Sequence, residues 1–392
     1  MDNRELLDRA QNYIVTSLAV DDSATNLART NMIYGLAKMH YVQETLGYPA
    51  NALFIGATDM TTTRYPTKWQ WGQAIGGMLS WGDGSLPLVF LDLQISTSTA
   101  LVGGLDREPD LRVVTARTDC LRRNRPNIMG IEVDWDYDNG NHFINAYRVK
   151  SVSQENLPPY VFVVHGGDSE VKRPSALGTG LDYVKSQPLR DQMQVIHTPL
   201  GPARILIEQM ARDYHAMYLH YEEYSKQKCL TIGEALFGTF TPISNQIHHG
   251  FADLNTALLS SYHFKPGIDT LYPVTLRSDL PAYLIRGIPN INIEVLSEHS
   301  LPASVKRRVR NANILPHGGG YTFPEVTSVA DTLIMNDHRY FILNGTNGGK
   351  RVFAYPNALP YAYRGLEVVD RIVSRQLGEV VAELHPLFSI TT

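Results

Sequence analysis

Cysteine is nearly absent from this chain: Cys120 and Cys229 are the only two in 392 residues. Two thiols without paired spacing build neither a disulfide framework nor a cysteine-based zinc site, and they suit a reducing compartment. Long apolar runs are missing too, since no uninterrupted stretch is long enough to span a bilayer. The opening Met1-Asp2-Asn3-Arg4-Glu5-Leu6-Leu7 is polar and acidic where a secretory signal is basic and then apolar. The expectation is a cytoplasmic protein with no membrane partner. Nor is positive charge in excess: 35 basic against 39 acidic residues give a net charge of −4, so no global attraction to nucleic acid follows. Two basic runs, Arg122-Arg123-Asn124-Arg125 and Lys306-Arg307-Arg308-Val309-Arg310, read as solvated surface first and as nucleic-acid patches second.

What is present describes a globular protein, with 43% hydrophobic and 19% charged residues. The length exceeds what one ordinary core holds, so one large domain with insertions or two closely joined ones is expected. No repeat, low-complexity segment or linker divides the chain. The reading is therefore a single domain over residues 1–392, helical over about residues 1–50.

Apolar residues recur at helical spacing from Asp22 to Tyr48, with Asp22 and Ser23 as caps. Leu86 to Asp92 reads as a buried strand delivering the Asp92 carboxylate to a site at its end. Val113–Arg117, Ile128–Val133, Phe143–Val149 and Tyr160–Val164 read as short strands separated by turn residues. Pro202 to Leu236 reads as a long helix or helix pair. Leu271–Ile285, Ile291–Leu296, Ser328–Ile334 and Tyr340–Leu343 look extended, and Leu366–His385 helical and then extended.

Four histidine segments carry the chemistry: Asn141-His142-Phe143, His165-Gly166-Gly167, His248-His249-Gly250 and His317-Gly318-Gly319-Gly320. Imidazole is the commonest ligand for zinc, manganese, iron and copper, and adjacent glycine lets the backbone approach closely. No pair has a short-range metal spacing, so any site must be assembled from distant segments. Taken alone, His142, His165 and His249 are about equally well ordinary hydrogen-bonded residues at strand ends or turns, whereas His317 reads first as a ligand or nucleophile and second as a histidine before a flexible glycine turn. Gly318-Gly319-Gly320 and Gly345-Thr346-Asn347-Gly348-Gly349 could be anion-binding nests but are more often flexible loops. Asp134-Trp135-Asp136-Tyr137-Asp138 lacks the glycine and distal glutamate of a calcium loop and reads as a solvated acidic turn.

In their order along the chain, these motifs resemble those of the RtcB family of RNA ligases. The matching positions are Asn141-His142-Phe143, His165-Gly166-Gly167, His249-Gly250-Phe251-Ala252 and His317-Gly318-Gly319-Gly320, flanked by Ala74-Ile75-Gly76-Gly77, Leu359 to Gly365 and Val380 to Pro386. The resemblance implies an α+β fold with a central metal-containing cleft. It also implies manganese, with iron or zinc as alternatives, and joining of RNA ends through GTP. By resemblance, Asp92, His142, His165 and His249 would hold metal and His317 would attack the nucleotide. His248 is read as a neighbour. Asn141, Asn145, Gly318, Gly319 and Gly320 would contact the nucleotide.

Departures fall on the nucleotide side. Ile95 stands where the family has a metal-bridging cysteine, Asn145 where it has a guanine-reading glutamate, and Tyr321 where an arginine follows the glycines. Asp168-Ser169-Glu170 replaces a further arginine, and Ser389-Ile390-Thr391-Thr392 lacks a terminal lysine and glycine. The sequence thus implies a metal-dependent enzyme of nucleotidyl or phosphoryl transfer with a weakened GTP pocket. The alternatives are a metalloenzyme acting on a small metabolite and a non-catalytic homologue that binds RNA ends or a protein.

Overall fold

The computed structural model describes residues 2–82, 86–137, 142–292, 294, 301–336 and 338–390. Helix and strand are mixed, and the dominant element is one large sheet. Its eleven described strands are β1 Ile14–Val15, β2 Leu53–Thr62, β3 Ala74–Ser80, β4 Ser98–Leu105, β5 Phe143–Ser151, β6 Tyr160–Gly167, β7 Thr241–Asp253, β8 Thr256–Leu259, β9 Leu271–Val274, β10 Ala282–Gly287 and β11 Gly378–Ile390. They lie in the order β1-β2-β3-β8-β7-β4-β6-β5-β11-β10-β9. β1 and β2 run parallel, and every other neighbouring pair is antiparallel.

Both faces of the sheet are covered, which explains why β2, β4 and β6 are buried almost throughout. On one face the helix Glu208–Phe237 packs Cys229, Ile232 and Leu236 against Leu101, Phe162 and Val164. The helix Ser23–Thr45 lays Met32, Leu36 and Met39 beside Phe54, Leu79 and Trp81 on that same side. The opposite face buries Ile55, Met78, Ala100 and Leu258 with Val305, Val309, Ile314 and Ile372. At about 1.5–3 kcal/mol per buried aliphatic side chain, this double layer anchors the strands that carry the histidines.

Several expected elements stand with adjusted ends. The helix read over Asp22–Tyr48 is Ser23–Thr45, and Asp22 caps it by accepting from the Thr25 N–H at 2.9 Å. The strands read around Phe143, Tyr160, Ser328 and Tyr340 are present, as is the helix Glu367–Ser374 followed by β11. Ile128–Val133 is reduced to two short strands, Asn127–Ile128 and Ile131–Glu132. Leu271–Ile285 divides into β9 and β10. Ile291 and Asn292 lie outside any strand, and 293 and 295–300 are outside the described residues.

Two readings are corrected. Val113–Arg117 is not a strand but lies in the helix Leu111–Arg123, which Asp110 starts by accepting from the N–H of Arg112 at 2.8 Å and of Val113 at 3.3 Å. Val114 and Thr118, four residues apart, form its buried face. Ile205 and Ile207 belong to the strand Gly201–Ile207, not to the helix, which begins at Glu208. Among the described residues, no helix is long and apolar enough to cross a membrane.

Candidate metal centre

The register of the sheet brings histidines from distant segments to one place. His165 lies two residues before the end of β6, paired with Ala100 of β4 on one side and Phe143 of β5 on the other. His142 immediately precedes β5. His248 sits in β7 where pairing with β4 shifts between Ile247 and His249, an irregularity of the kind that re-aims side chains near functional sites. His317 follows the short strand Ile314–Pro316, and Thr275, just beyond β9, bridges to Gly318.

The rings of His165 and His248 stack with centroids 4.6 Å apart, and those of His248 and His317 stack at 4.9 Å. His142 meets His165 edge-on at 5.7 Å, and Phe143 stacks on His165 at 4.9 Å. One ring nitrogen from each of His165, His248 and His317 lies within 4.8 Å of the others, a group that can hold a metal ion. Two nitrogens on one ion span at most about 4 Å when each bond is about 2.1 Å, a spacing of the same order as the 4.8 Å within which these nitrogens lie. The buried His248 Nδ1 has no hydrogen-bond partner, leaving a donor atom free for an ion. Burial, with His165 and His317 beside it, holds the His248 pKa well below the usual imidazole value. The ring is therefore neutral at pH 7, as ligation requires.

Carboxylates stand behind two of the rings. Asp59 Oδ2 is 3.0 Å from His317 Nδ1; in the tautomer that carries Nδ1–H the carboxylate accepts from it and leaves the Nε2 lone pair open. Asp136 Oδ2 approaches His142 Nδ1 at 3.0 Å, a close contact although its alignment is not that of an ideal hydrogen bond. Burial opposes the charge on Asp136, yet His142, Lys228 and the Gly167 N–H, which donates to it at 3.1 Å, hold its pKa below the usual carboxylate value. Asp136 is thus a buried partner of the site, not part of a solvated turn.

The sequence readings distribute unevenly over this geometry. His165 and His317 are together, and His142 is beside them. His248 joins them, whereas His249 turns to the other face of the sheet. His249 pairs across the sheet with Leu259, which packs with Trp81 and Phe251 on the side of the long helix. Burial, followed by Lys68 and Lys172, lowers its pKa well below the usual value. Asp92 is bound by Arg204, which donates from its backbone N–H at 2.6 Å and its guanidinium at 2.7 Å. Tyr183 also donates to Asp92, at 3.3 Å. Among the described residues Asp92 is no part of the histidine group.

Asn141 is outside the described residues. Asn145 donates to the Tyr147 hydroxyl at 2.7 Å and lines a small cavity with Arg277, Ser278 and Ser389. Gly318 and Gly319 pack against the carbonyls of Thr275 and Arg364, and Gly320, at φ +63°, against that of Asp59. Close backbone approach, more than an open nest, explains these glycines. Ile95 is buried in the core, and Tyr321 is buried with its hydroxyl donating to the Thr62 carbonyl. Asp59 and His248 are the residues that the sequence reading missed. Asp59 sits inside a wholly buried strand without any flanking signal, and the doublet His248-His249 needs its register before either can be chosen.

No family model and no curated protein sequence matches this chain. The case for function therefore rests on the site itself.

Proposed function

We propose that the protein is a metal-dependent enzyme in which His165, His248 and His317 hold one divalent cation, with His142 beside it. The observation that carries this reading is the convergence of three imidazole nitrogens within 4.8 Å. Manganese is the ion that the RtcB resemblance favours, and iron and zinc suit the same donors. The chemistry proposed is nucleotidyl or phosphoryl transfer, with RNA ends or a nucleotide as substrate. A bound ion would supply polarisation of a phosphoryl oxygen. Asp59 keeps His317 in the tautomer whose Nε2 can ligate or attack. The RtcB-like fold and the cytoplasmic setting belong to this proposal.

A second reading, a small-metabolite metalloenzyme that does not use GTP, is favoured by a specific observation. Asn145 is a neutral amide and Tyr321 a phenol whose hydroxyl donates to the Thr62 carbonyl, so neither position offers a charge to a guanine nucleotide.

Elemental analysis of the purified protein tests the metal reading. About one equivalent is expected, lost in His248→Ala and retained in His249→Ala. A protein without metal, or equal loss in both variants, would sink it. Incubation with radiolabelled GTP and ATP then separates the two chemistries. Acid-labile label on the wild-type protein supports nucleotidyl transfer, and metal without label supports the small-molecule reading.

A further inference from the structure

Behind the histidines lies a buried ionic hub. Lys228, on the long helix Glu208–Phe237, is 1% exposed and donates to the Gly167 carbonyl at 2.9 Å, to Asp168 at 3.1 Å and to Glu170 at 3.0 Å. Its Nζ is 3.9 Å from Asp136. The carboxylates are themselves held: Thr97 donates to Asp168 at 2.5 Å, and Tyr224 donates to Glu170 at 2.6 Å. Burial opposes the charge on the ammonium, but Asp168 and Glu170 keep its pKa well above the usual lysine value.

Burying four charges costs more than an apolar core of the same volume, so such a hub is a poor stabilising device. Its geometry does something else. Lys228 grips the carbonyl of Gly167 while Asp136 accepts from the N–H of the same residue, closing a ring on the strand end two residues beyond His165. Asp136 then extends to the His142 ring. That ring lies so close to Gly167 that a Cβ there would come within 2.9 Å of its Cε1.

We infer that Lys228 is a positioning residue for the metal centre, fixing the end of β6 and, through Asp136, the orientation of His142. This rests on the metal reading above. No ligand atom comes from Lys228; it fixes the strand end that carries His165 and, through Asp136, the His142 ring beside the ion.

The test is titration of the full-length protein with Co²⁺, following visible absorption together with calorimetry, in the wild type, Lys228→Met, Asp136→Asn and Tyr224→Phe. Lys228→Met and Asp136→Asn are expected to weaken Co²⁺ binding about 10–100-fold and to change the ligand-field spectrum. A merely structural role would leave the spectrum of the folded protein unaltered. Tyr224→Phe, which touches the hub only at Glu170, is expected to keep the wild-type affinity and spectrum. Folded Lys228→Met with unchanged affinity and spectrum overturns the inference. If that variant does not fold, Asp136→Asn decides, because it leaves Lys228 paired with Asp168 and Glu170. Wild-type protein that takes up no Co²⁺ overturns the metal reading itself, and the inference with it.

Discussion

Lys68 is 8% exposed and forms no ion pair or hydrogen bond through its ammonium among the described residues. Its Nζ lies over the Tyr65 ring, 5.6 Å from the centroid. Burial pushes its pKa down to about 7, Lys172 adds to the effect, and Asp182 opposes it. A buried amine in that state is a standing cost, so Lys68→Met is expected to raise stability by about 1–3 kcal/mol. A thermal melt showing a lower midpoint for the variant would mean that the ammonium is compensated. The same scale explains what could be read beforehand. His142, His165 and His317 announced themselves through glycine or polar neighbours at strand ends. Asp92 also announced itself, as a carboxylate closing an apolar run, yet Arg204 claims it from 112 residues away, a pairing no local pattern encodes.

At the scale of elements, the helix Leu111–Arg123 shows how a local rule was overridden. Val113, Val114 and Thr115 are β-branched and suggest a strand. The Asp110 cap and the buried stripe at Val114 and Thr118 decide for a helix. Asp110→Ala is accordingly expected to cost about 1 kcal/mol, read from the midpoint of a urea titration. An unchanged midpoint would show that the cap does not hold this helix. The strand β7 was illegible for the opposite reason. Pro242, Ser244, Asn245, Gln246, His248 and His249 give no apolar alternation, and the segment is a strand because β4 and β8 pair with it from both sides. The metal group depends on that strand, so its third histidine could not be chosen before the sheet was known.

Across the whole molecule, three buried imidazoles set a common acid limit. Burial lowers the pKa of His40 to about 4, outweighing the favourable bond to the Ala52 carbonyl, and it lowers His248 and His249 well below the usual value. Unfolded, each titrates near 6.5. Between about 6.5 and the folded value the unfolded chain therefore binds more protons, and stability falls as pH falls through that window. His40 alone accounts for on the order of 3 kcal/mol between pH 6.5 and 4, at about 1.4 kcal/mol per pKa unit. The thermal midpoint is expected to drop steadily from pH 6.5 to pH 4. His40→Gln cannot take up that proton, and its amide can still donate to the Ala52 carbonyl, so its profile should be shallower than that of the wild type. Two parallel profiles would show that His40 is protonated in the fold, or that the acid limit is set by groups other than these imidazoles.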